Sequence, residues 1–148
     1  MNFGIALPVT SRSFYEADEV MEKHIEKAKQ TNGYVYFSTS NRIDSNKARE
    51  IGLVLFVNKE FVYMGELVEY TGFVDKSYPN DRYIFQPTDF GKDIDLHWFK
   101  VTDIHEVEID ELNKFEMINK KAQLKYNGVG NYIKDTGRLQ VFYFKDVK

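Results

Sequence analysis

The stretch IGLVLFVNKEFVYMGELVEY, residues 51–70, indicates the class of fold. Its first seven residues form a continuous apolar run, which predicts a buried strand. The triplet Asn58-Lys59-Glu60 then predicts a hairpin turn, and residues 61–70 predict the returning strand. Gly65 within the returning strand is typical of a β-bulge or of a close approach by another backbone. The stretch therefore predicts an antiparallel hairpin.

Strand patterns also occur on both sides of this hairpin. They are NFGIAL (2–7), the beginning of GYVYFSTSN (33–41), RYIFQ (82–86), IDLHWFKVTDIHEVEI (94–109) and RLQVFYF (138–144). Apolar residues alternate in some of these stretches, and aromatic or β-branched residues are frequent in the others. Aromatic residues make up 16% of the chain, which favours β structure further.

One long helix and one short helix are predicted. Apolar residues recur at helical spacing over 13–30, Ser13 and Glu16 have the spacing of a capping box, and Asn32-Gly33 ends the helix. A short helix is expected after Asp110, and the stretch before the last strand is expected to be irregular or only partly helical. The chain has no repeat or linker, so we expect one α+β domain, 1–148, with a curled, mostly antiparallel sheet or a small barrel.

Composition and charge narrow the classes of function. The absence of Cys excludes disulfides, thiolate catalysis and zinc sites with sulfur ligands. No signal peptide and no apolar run of membrane-spanning length is present, so we expect a cytoplasmic protein without a membrane partner. The net charge of −3 argues against coating nucleic acid through bulk charge. Residues 111–148, however, carry eight basic and four acidic residues, which allows a local anion-binding face.

No pattern predicts an enzyme. Asp93, Asp95 and His97 alternate along a predicted strand and would converge on a cation, but the wet face of an edge strand is often polar in the same way. His24 lies on the apolar stripe of the long helix, where a hydrogen-bonded, partly buried histidine is expected. The sequence has no nucleophile elbow, P-loop or dinucleotide motif. We therefore expect no catalytic residues, no metal and no cofactor.

The clearest candidate binding feature is the end of GYVYFSTSN. Ser38, Thr39, Ser40 and Asn41 are four small hydrogen-bonding side chains in a row. They form either the exit turn of a core strand or the floor of a binding site. Several tyrosines are candidates for stacking on nucleobases, with core packing as the alternative; they are Tyr34, Tyr36, Tyr126 and Tyr132.

Four stretches, taken in order, resemble the PUA-like superfamily, and most closely its EVE and YTH-type domains. They are GYVYFSTSN, EIGLVLFVNKEFVYMGELVEY, LHWFKVTDIHEVEIDEL and TGRLQVFYF, and they extend over about residues 33–145. The aromatic-cage tryptophans of YTH domains have no match, since the only Trp, Trp98, lies in a predicted core strand. The resemblance implies a small, mostly antiparallel β-barrel with flanking helices. Residues 1–32 would add an N-terminal strand and a long helix before it.

The resemblance also implies a function. Proteins of this family bind nucleic acid and often accept a flipped, sometimes modified, base beside the first barrel strand. The implied base-binding residues are Tyr36, Ser38, Thr39, Asn41, Asn127, Asn131 and Tyr132, and the implied phosphate-binding residues are Lys120, Lys121, Lys125 and Arg138. The expected partner is therefore DNA or RNA. The alternative is a non-enzymatic protein-interaction or inhibitory module from a mobile element or defence system, with its acidic stretch 31–110 facing a basic protein.

Overall fold

A computed structural model describes residues 2–72, 78–90 and 95–147. The strands are β1 (Asn2–Pro8), β2 (Tyr34–Thr39), β3 (Ile51–Val57), β4 (Val62–Thr71), β5 (His97–Glu106), β6 (Phe115–Met117) and β7 (Phe142–Asp146). The α-helices are α1 (Ala17–Gln30), α2 (Ser45–Ala48), α3 (Arg82–Phe85), α4 (Lys120–Tyr126) and α5 (Val129–Asp135). In the described residues, 3₁₀ helices occupy Thr88–Phe90 and Ile109–Lys114. Within the described ranges, no helix is long and apolar enough to cross a membrane.

The strands form one sheet in the order β2-β5-β4-β3-β1-β7-β6. The β1–β3 pair is parallel and the other neighbouring pairs are antiparallel. The prediction of an α+β fold with a mostly antiparallel sheet is therefore confirmed. The sheet is open in the described part of the chain, with β2 and β6 at its edges, so the expected closed barrel is not confirmed. Strand β1, from the segment expected to precede the barrel, lies inside the sheet between β3 and β7.

The hairpin of β3 and β4 is present as predicted. Val57 pairs with Val62 across the turn. Successive β3 residues point to opposite faces, and apolar side chains cover both faces, which accounts for the unbroken apolar run. The register between β4 and β5 shifts beside Gly65, where a Cβ would lie 3.2 Å from the Thr102 carbonyl oxygen. Gly65 thus marks a bulge with close backbone approach, as predicted.

Helices pack on both faces of the sheet. On one face, Val20 and Met21 of α1 join a cluster that includes Phe56 of β3. On the opposite face, the 3₁₀ helix Ile109–Lys114 and α5 contribute to a second cluster through Leu112 and Ile133. Because both faces of the sheet are covered, a ligand is expected to bind at the loops that follow or precede the strands.

The N-terminal end of the long helix differs from the prediction. The helix begins at Ala17, and its capping box joins Glu16 to Glu19, with the Glu16 backbone N donating to the Glu19 carboxylate at 3.1 Å. The predicted cap, Ser13, has φ = 50°, and Phe14 has φ = 71°. These two residues form a tight reverse turn before the helix, and so the first helical turn starts later than the apolar spacing indicated.

The structure differs from three other local predictions. RYIFQ contains the one-turn helix α3, because the segment follows a turn and packs Phe85 edge-on against Tyr36 (6.4 Å between ring centroids) instead of pairing with a strand. The polar stretch before the last strand contains two helices, separated by Asn127 (φ = 57°) and Gly128 (φ = 143°). The last strand begins at Phe142 rather than at residue 138.

Candidate functional site

A small polar pocket lies where β1 and β2 end. It is lined by residues 8–12 and 37–41, with Val20 from α1 and Asp95 from the segment before β5. Its volume is about 150 Å³. A cavity of about this volume holds one six-membered aromatic ring.

A hydrogen-bonded network forms one wall of this pocket. The Arg12 guanidinium donates to the Ser38 carbonyl oxygen (2.9 Å) and hydroxyl (3.0 Å), and it is ion-paired with Asp95. The Ser38 and Ser40 hydroxyls donate to the two carboxylate oxygens of Asp95, at 2.7 and 2.8 Å. The Arg12 and Asp95 side chains are only 18% and 15% exposed, so water screens their attraction less than it screens a surface pair.

Aromatic residues hold this wall in position. The Trp98 indole N–H donates to the backbone oxygen of Asp95 at 3.0 Å, which fixes the segment that carries the carboxylate. The Arg12 guanidinium carbon lies 5.1 Å from the centroid of the Phe90 ring, within the range of a cation–π contact. The donors and acceptors of the pocket are therefore oriented before any ligand binds.

His24 of α1 is buried and packs against the Phe90 ring, which also contacts Arg12. Its ring stacks on Phe90 (5.4 Å between centroids), and its Nδ1 is 2.7 Å from the Val20 carbonyl oxygen. Burial lowers the pKa of His24 to about 4, and the positive charge of Arg12 adds to this effect. His24 is therefore a neutral, hydrogen-bonded core residue near pH 7.

A wider cleft adjoins the pocket and shares Asn41 and residues 8–10 with it. Its volume is about 930 Å³, and Arg42, Lys59, Glu60 and Arg138 are its charged lining residues. The ammonium of Lys59 donates to carbonyl oxygens at the C-terminal end of α5, at 2.7 Å for Ile133, 3.3 Å for Lys134, and also to Thr136. Lys59 therefore stabilises that helix end, while the exposed Arg42 and Arg138 side chains face the cleft.

A third depression continues from the cleft, with which it shares Gln140 and Val141. Its volume is about 540 Å³. Its other lining residues are Lys47, Met117, Ile118, Asn119, Ala122, Tyr132, Phe142 and Tyr143. We call this third depression the groove. The cleft adjoins the pocket on one side and the groove on the other, and we call the three together the track.

No family model, curated protein or solved structure matches this chain. The resemblance to EVE and YTH-type domains therefore stays a prediction.

The track brings some of the predicted site residues together. Ser38, Thr39 and Asn41 line the pocket, Arg138 joins Asn41 in the cleft, and Tyr132 lies in the groove. The Thr39 hydroxyl oxygen accepts a hydrogen bond from the Asn41 backbone N at 3.1 Å, which shapes the pocket rim.

Other predicted residues lie outside the linings of the track. Asn127 ends α4, and Asn131 bonds to Asn113 and to the Tyr126 carbonyl oxygen, so it ties α5 to its neighbours. The three predicted lysines are exposed on α4, whose N-cap Asn119 borders the groove; they are Lys120, Lys121 and Lys125.

Tyr36 lies in the interior and its ring is 1% exposed. Its hydroxyl donates to Asp81 at 2.8 Å, and the same carboxylate accepts from Lys100 at 2.9 Å. Burial and the bond to Asp81 raise the pKa of Tyr36 well above its ordinary value. In this structure, therefore, the Tyr36 ring packs in the core and is not open to a stacking base.

The described candidate metal ligands, Asp95 and His97, bond to different partners. Asp93 lies outside the described residues. Asp95 precedes β5 and bonds to Arg12, whereas the Nδ1 atom of His97 is 2.8 Å from the Tyr70 hydroxyl. Burial lowers the pKa of His97. Across the described ranges, no group of three or more His, Cys, Asp or Glu side chains is arranged to hold a metal ion.

Sequence reasoning did not identify Arg12 as a pocket residue, and it considered Asp95 only as a metal ligand. Ser38 lies 26 residues from Arg12 and 57 from Asp95 along the chain. The only local signal is that Arg12 follows the end of a predicted strand. Strand ends meet at an edge of a sheet, but which ends meet depends on strand order.

Proposed function

We propose that this protein is a nucleic-acid-binding module that takes a single flipped or unpaired base into the pocket and the adjoining sugar–phosphate backbone into the cleft. The proposal includes a PUA-like relationship for the fold, which the sequence resemblance supports. DNA and RNA, with or without base modification, are both within this class of ligand.

The observation that carries the proposal is the joining of a ring-sized polar pocket to a wide cleft that bears arginines. A flipped base is recognised through hydrogen bonds to its edge inside a fitted pocket. The pocket wall contains the guanidinium of Arg12, the carboxylate of Asp95 and the hydroxyls of Ser38 and Thr39, and a bound base edge would exchange hydrogen bonds with this network. Its wall thus has both donors and acceptors, as a base edge requires.

The cleft supplies the complementary contacts to phosphate. The planar guanidinium groups of Arg42 and Arg138 are suited to bidentate bonds with phosphate oxygens. The whole chain has a net charge of −3, so favourable contacts with a polyanion have to be concentrated in a local region. Phosphate contacts position the strand, and the pocket selects the base.

The test is binding of fluorescent single- and double-stranded DNA and RNA oligonucleotides, unmodified and base-modified, at two or more salt concentrations. The double variant Arg42→Ala/Arg138→Ala is expected to bind about tenfold more weakly. For a single strand, the slope of log affinity against log salt is expected to fall in magnitude by about 1.4, since two phosphate contacts are lost.

The matched control is Lys27→Ala/Lys29→Ala, which removes the same charge from the last turn of α1, outside the track linings. Its affinity is expected to stay within twofold of the wild type. Thr39→Val, which keeps the shape of the side chain, is expected to change the preference among bases without changing the salt slope. No saturable binding to any oligonucleotide at low salt would overturn the proposal.

One observation favours the protein-interaction alternative as a second candidate. The short helix α3 exposes two large apolar side chains, Tyr83 (66%) and Ile84 (59%). A basic protein that bound the acidic part of the chain would bury them. Gel filtration with candidate basic proteins tests this, and loss of co-migration in a Tyr83→Ser/Ile84→Ser variant is the expected result.

A further inference from the structure

Phe14 is a fully exposed aromatic residue beside the pocket. Its exposure is 109% of the reference value, the largest among the exposed apolar side chains of the described residues, with Leu124 next at 86%. An isolated exposed apolar residue is ordinary on a protein surface. The backbone that carries Phe14 is not ordinary.

Ser13 and Phe14 are the two central residues of a reverse turn, and two backbone hydrogen bonds between the flanking residues close this turn. The backbone N of Arg12 donates to the Tyr15 oxygen and the backbone N of Tyr15 donates to the Arg12 oxygen, each at 2.9 Å. Both central residues have positive φ, 50° for Ser13 and 71° for Phe14. Gly and Asn adopt such a turn at low cost, whereas a bulky side chain is strained there. Neither the strain nor the exposure of Phe14 is compensated by packing of its ring.

Side-chain contacts on both flanks keep the turn in this conformation. On one side, Arg12 is held by Ser38 and Asp95 in the pocket wall. On the other side, the Tyr15 hydroxyl donates to Asp89 at 3.1 Å, and the Tyr15 ring lies edge-on to Phe90 with centroids 6.0 Å apart. Strained residues held in this way by their surroundings are concentrated at ligand-binding sites.

The position of the turn connects it to the pocket. Residues 10–12 form part of the pocket lining, so the turn begins at the pocket wall and Phe14 follows Arg12 by two residues. Phe37 is the one aromatic residue among the lining residues of the pocket and the cleft, and it is 5% exposed. Within the described parts of these linings, therefore, no exposed aromatic ring is available to stack on a base.

We propose that Phe14 is a stacking residue whose ring receives the face of the nucleobase next to the one held in the pocket. This inference rests on the proposed nucleic-acid function and adds a second base subsite to it. Stacking on an aromatic ring tolerates any base, because every base has a π face. The rigid turn holds the ring in place before binding, which lowers the ordering cost of the contact.

The test uses the full chain and a fluorescent single-stranded oligonucleotide that the wild type binds. Phe14→Ala is expected to bind roughly 5- to 150-fold more weakly, the range for losing one stacked base. The salt dependence is expected to stay unchanged, because no phosphate contact is lost. Phe14→Asn removes the ring but suits the positive φ, so it is expected to bind as weakly as Phe14→Ala while remaining folded.

Phe14→Trp supplies a direct readout of stacking. Its affinity is expected to match the wild type, and its exposed indole is expected to be quenched when the oligonucleotide binds. The chain's own Trp98 is 1% exposed and gives a constant background. Leu124→Ala, at the next most exposed apolar side chain, is the matched control and is expected to bind like the wild type.

The outcomes separate this inference from the proposed function. If the wild type binds and Phe14→Ala and Phe14→Asn bind equally well, the stacking role is wrong and the proposed function stands. If Leu124→Ala weakens binding as much as Phe14→Ala, the effect is general apolar adhesion and the stacking role is also wrong. If the wild type binds no oligonucleotide, both proposals fail.

Discussion

Burial of His24 makes the stability of the fold depend on pH. The pKa of His24 is lowered to about 4 in the folded protein, with burial as the largest cause, against 6.5 for an ordinary histidine. The unfolded chain therefore binds a proton more readily than the folded protein between these two values. The contribution of neutral His24 to stability is complete above about pH 6.5 and is lost as the pH falls towards 4.

The size of this effect follows from the two pKa values. At 1.36 kcal/mol per pKa unit, the difference corresponds to at most about 3.4 kcal/mol, reached below pH 4. Between pH 7 and pH 4.5, linkage gives a loss of roughly 2.4 kcal/mol in the free energy of unfolding. That is a large share of the stability of a domain of this size.

The measurement is urea unfolding of the wild type and His24→Leu at half-unit steps from pH 7.5 to pH 4.5. Leucine suits the apolar stripe of α1 and does not titrate. The other titrating groups are common to both proteins, so the difference between the two curves isolates His24. The wild type is expected to lose about 2 kcal/mol more than the variant over this range. Two curves that stay parallel within 0.5 kcal/mol, taken as roughly the error of such a difference, would refute the reasoning.

Three further predictions concern the supports of the track. Gly130→Ala is expected to lower the free energy of unfolding, measured by urea unfolding, by about 3 kcal/mol, because its Cβ would lie 2.2 Å from the Ile109 carbonyl oxygen. The control is Gly137→Ala, which is expected to be neutral because there is open space around its Cβ. Lys59→Met is expected to cost about 1–2 kcal/mol by the same assay, because the end of α5 loses a cation that bonds to its carbonyl oxygens. Arg12→Met and Asp95→Asn are expected to show a coupling of about 1–3 kcal/mol in a double-mutant cycle, and additive effects would contradict the network.

The features that could be predicted from the sequence are those that depend on short periods along the chain. The hairpin of β3 and β4 follows from one apolar run, one turn and one glycine, all within 20 residues. The stretch that contains α4 and α5 was predicted to be irregular or only partly helical, because it is polar and contains glycines. These helices depend on a side-chain cap at Asn119 and on the close approach of Gly130 to the 3₁₀ helix before them. Such contacts leave no periodic pattern in the sequence from which a helix could be predicted.

The candidate site shows the same division. The polar residues Ser38 to Asn41 could be predicted as a binding feature because they follow a strand directly, and they line the pocket. Arg12 and Asp95 are 83 residues apart, and they meet because β5 begins near the place where β1 and β2 end. Tyr36 was a reasonable stacking candidate by residue type. Its position on β2 turns it towards Trp98 and Asp81 instead, and alternation along a strand alone does not say which face is covered.

The charges in the track explain how an acidic chain would bind a polyanion selectively in the proposed mode. Among the described residues, the cations that line the cleft are Arg42, Lys59 and Arg138. In the proposed mode, the salt-dependent part of the affinity would therefore be small and non-specific binding would be weak. The additional affinity has to come from the pocket and from stacking, both of which require an accessible base. A paired duplex offers neither contact, since its bases are already stacked and bonded. If the proposed function holds, the protein would discriminate in favour of flipped or unpaired bases, both because the cleft has few cations and because of the shape of the pocket.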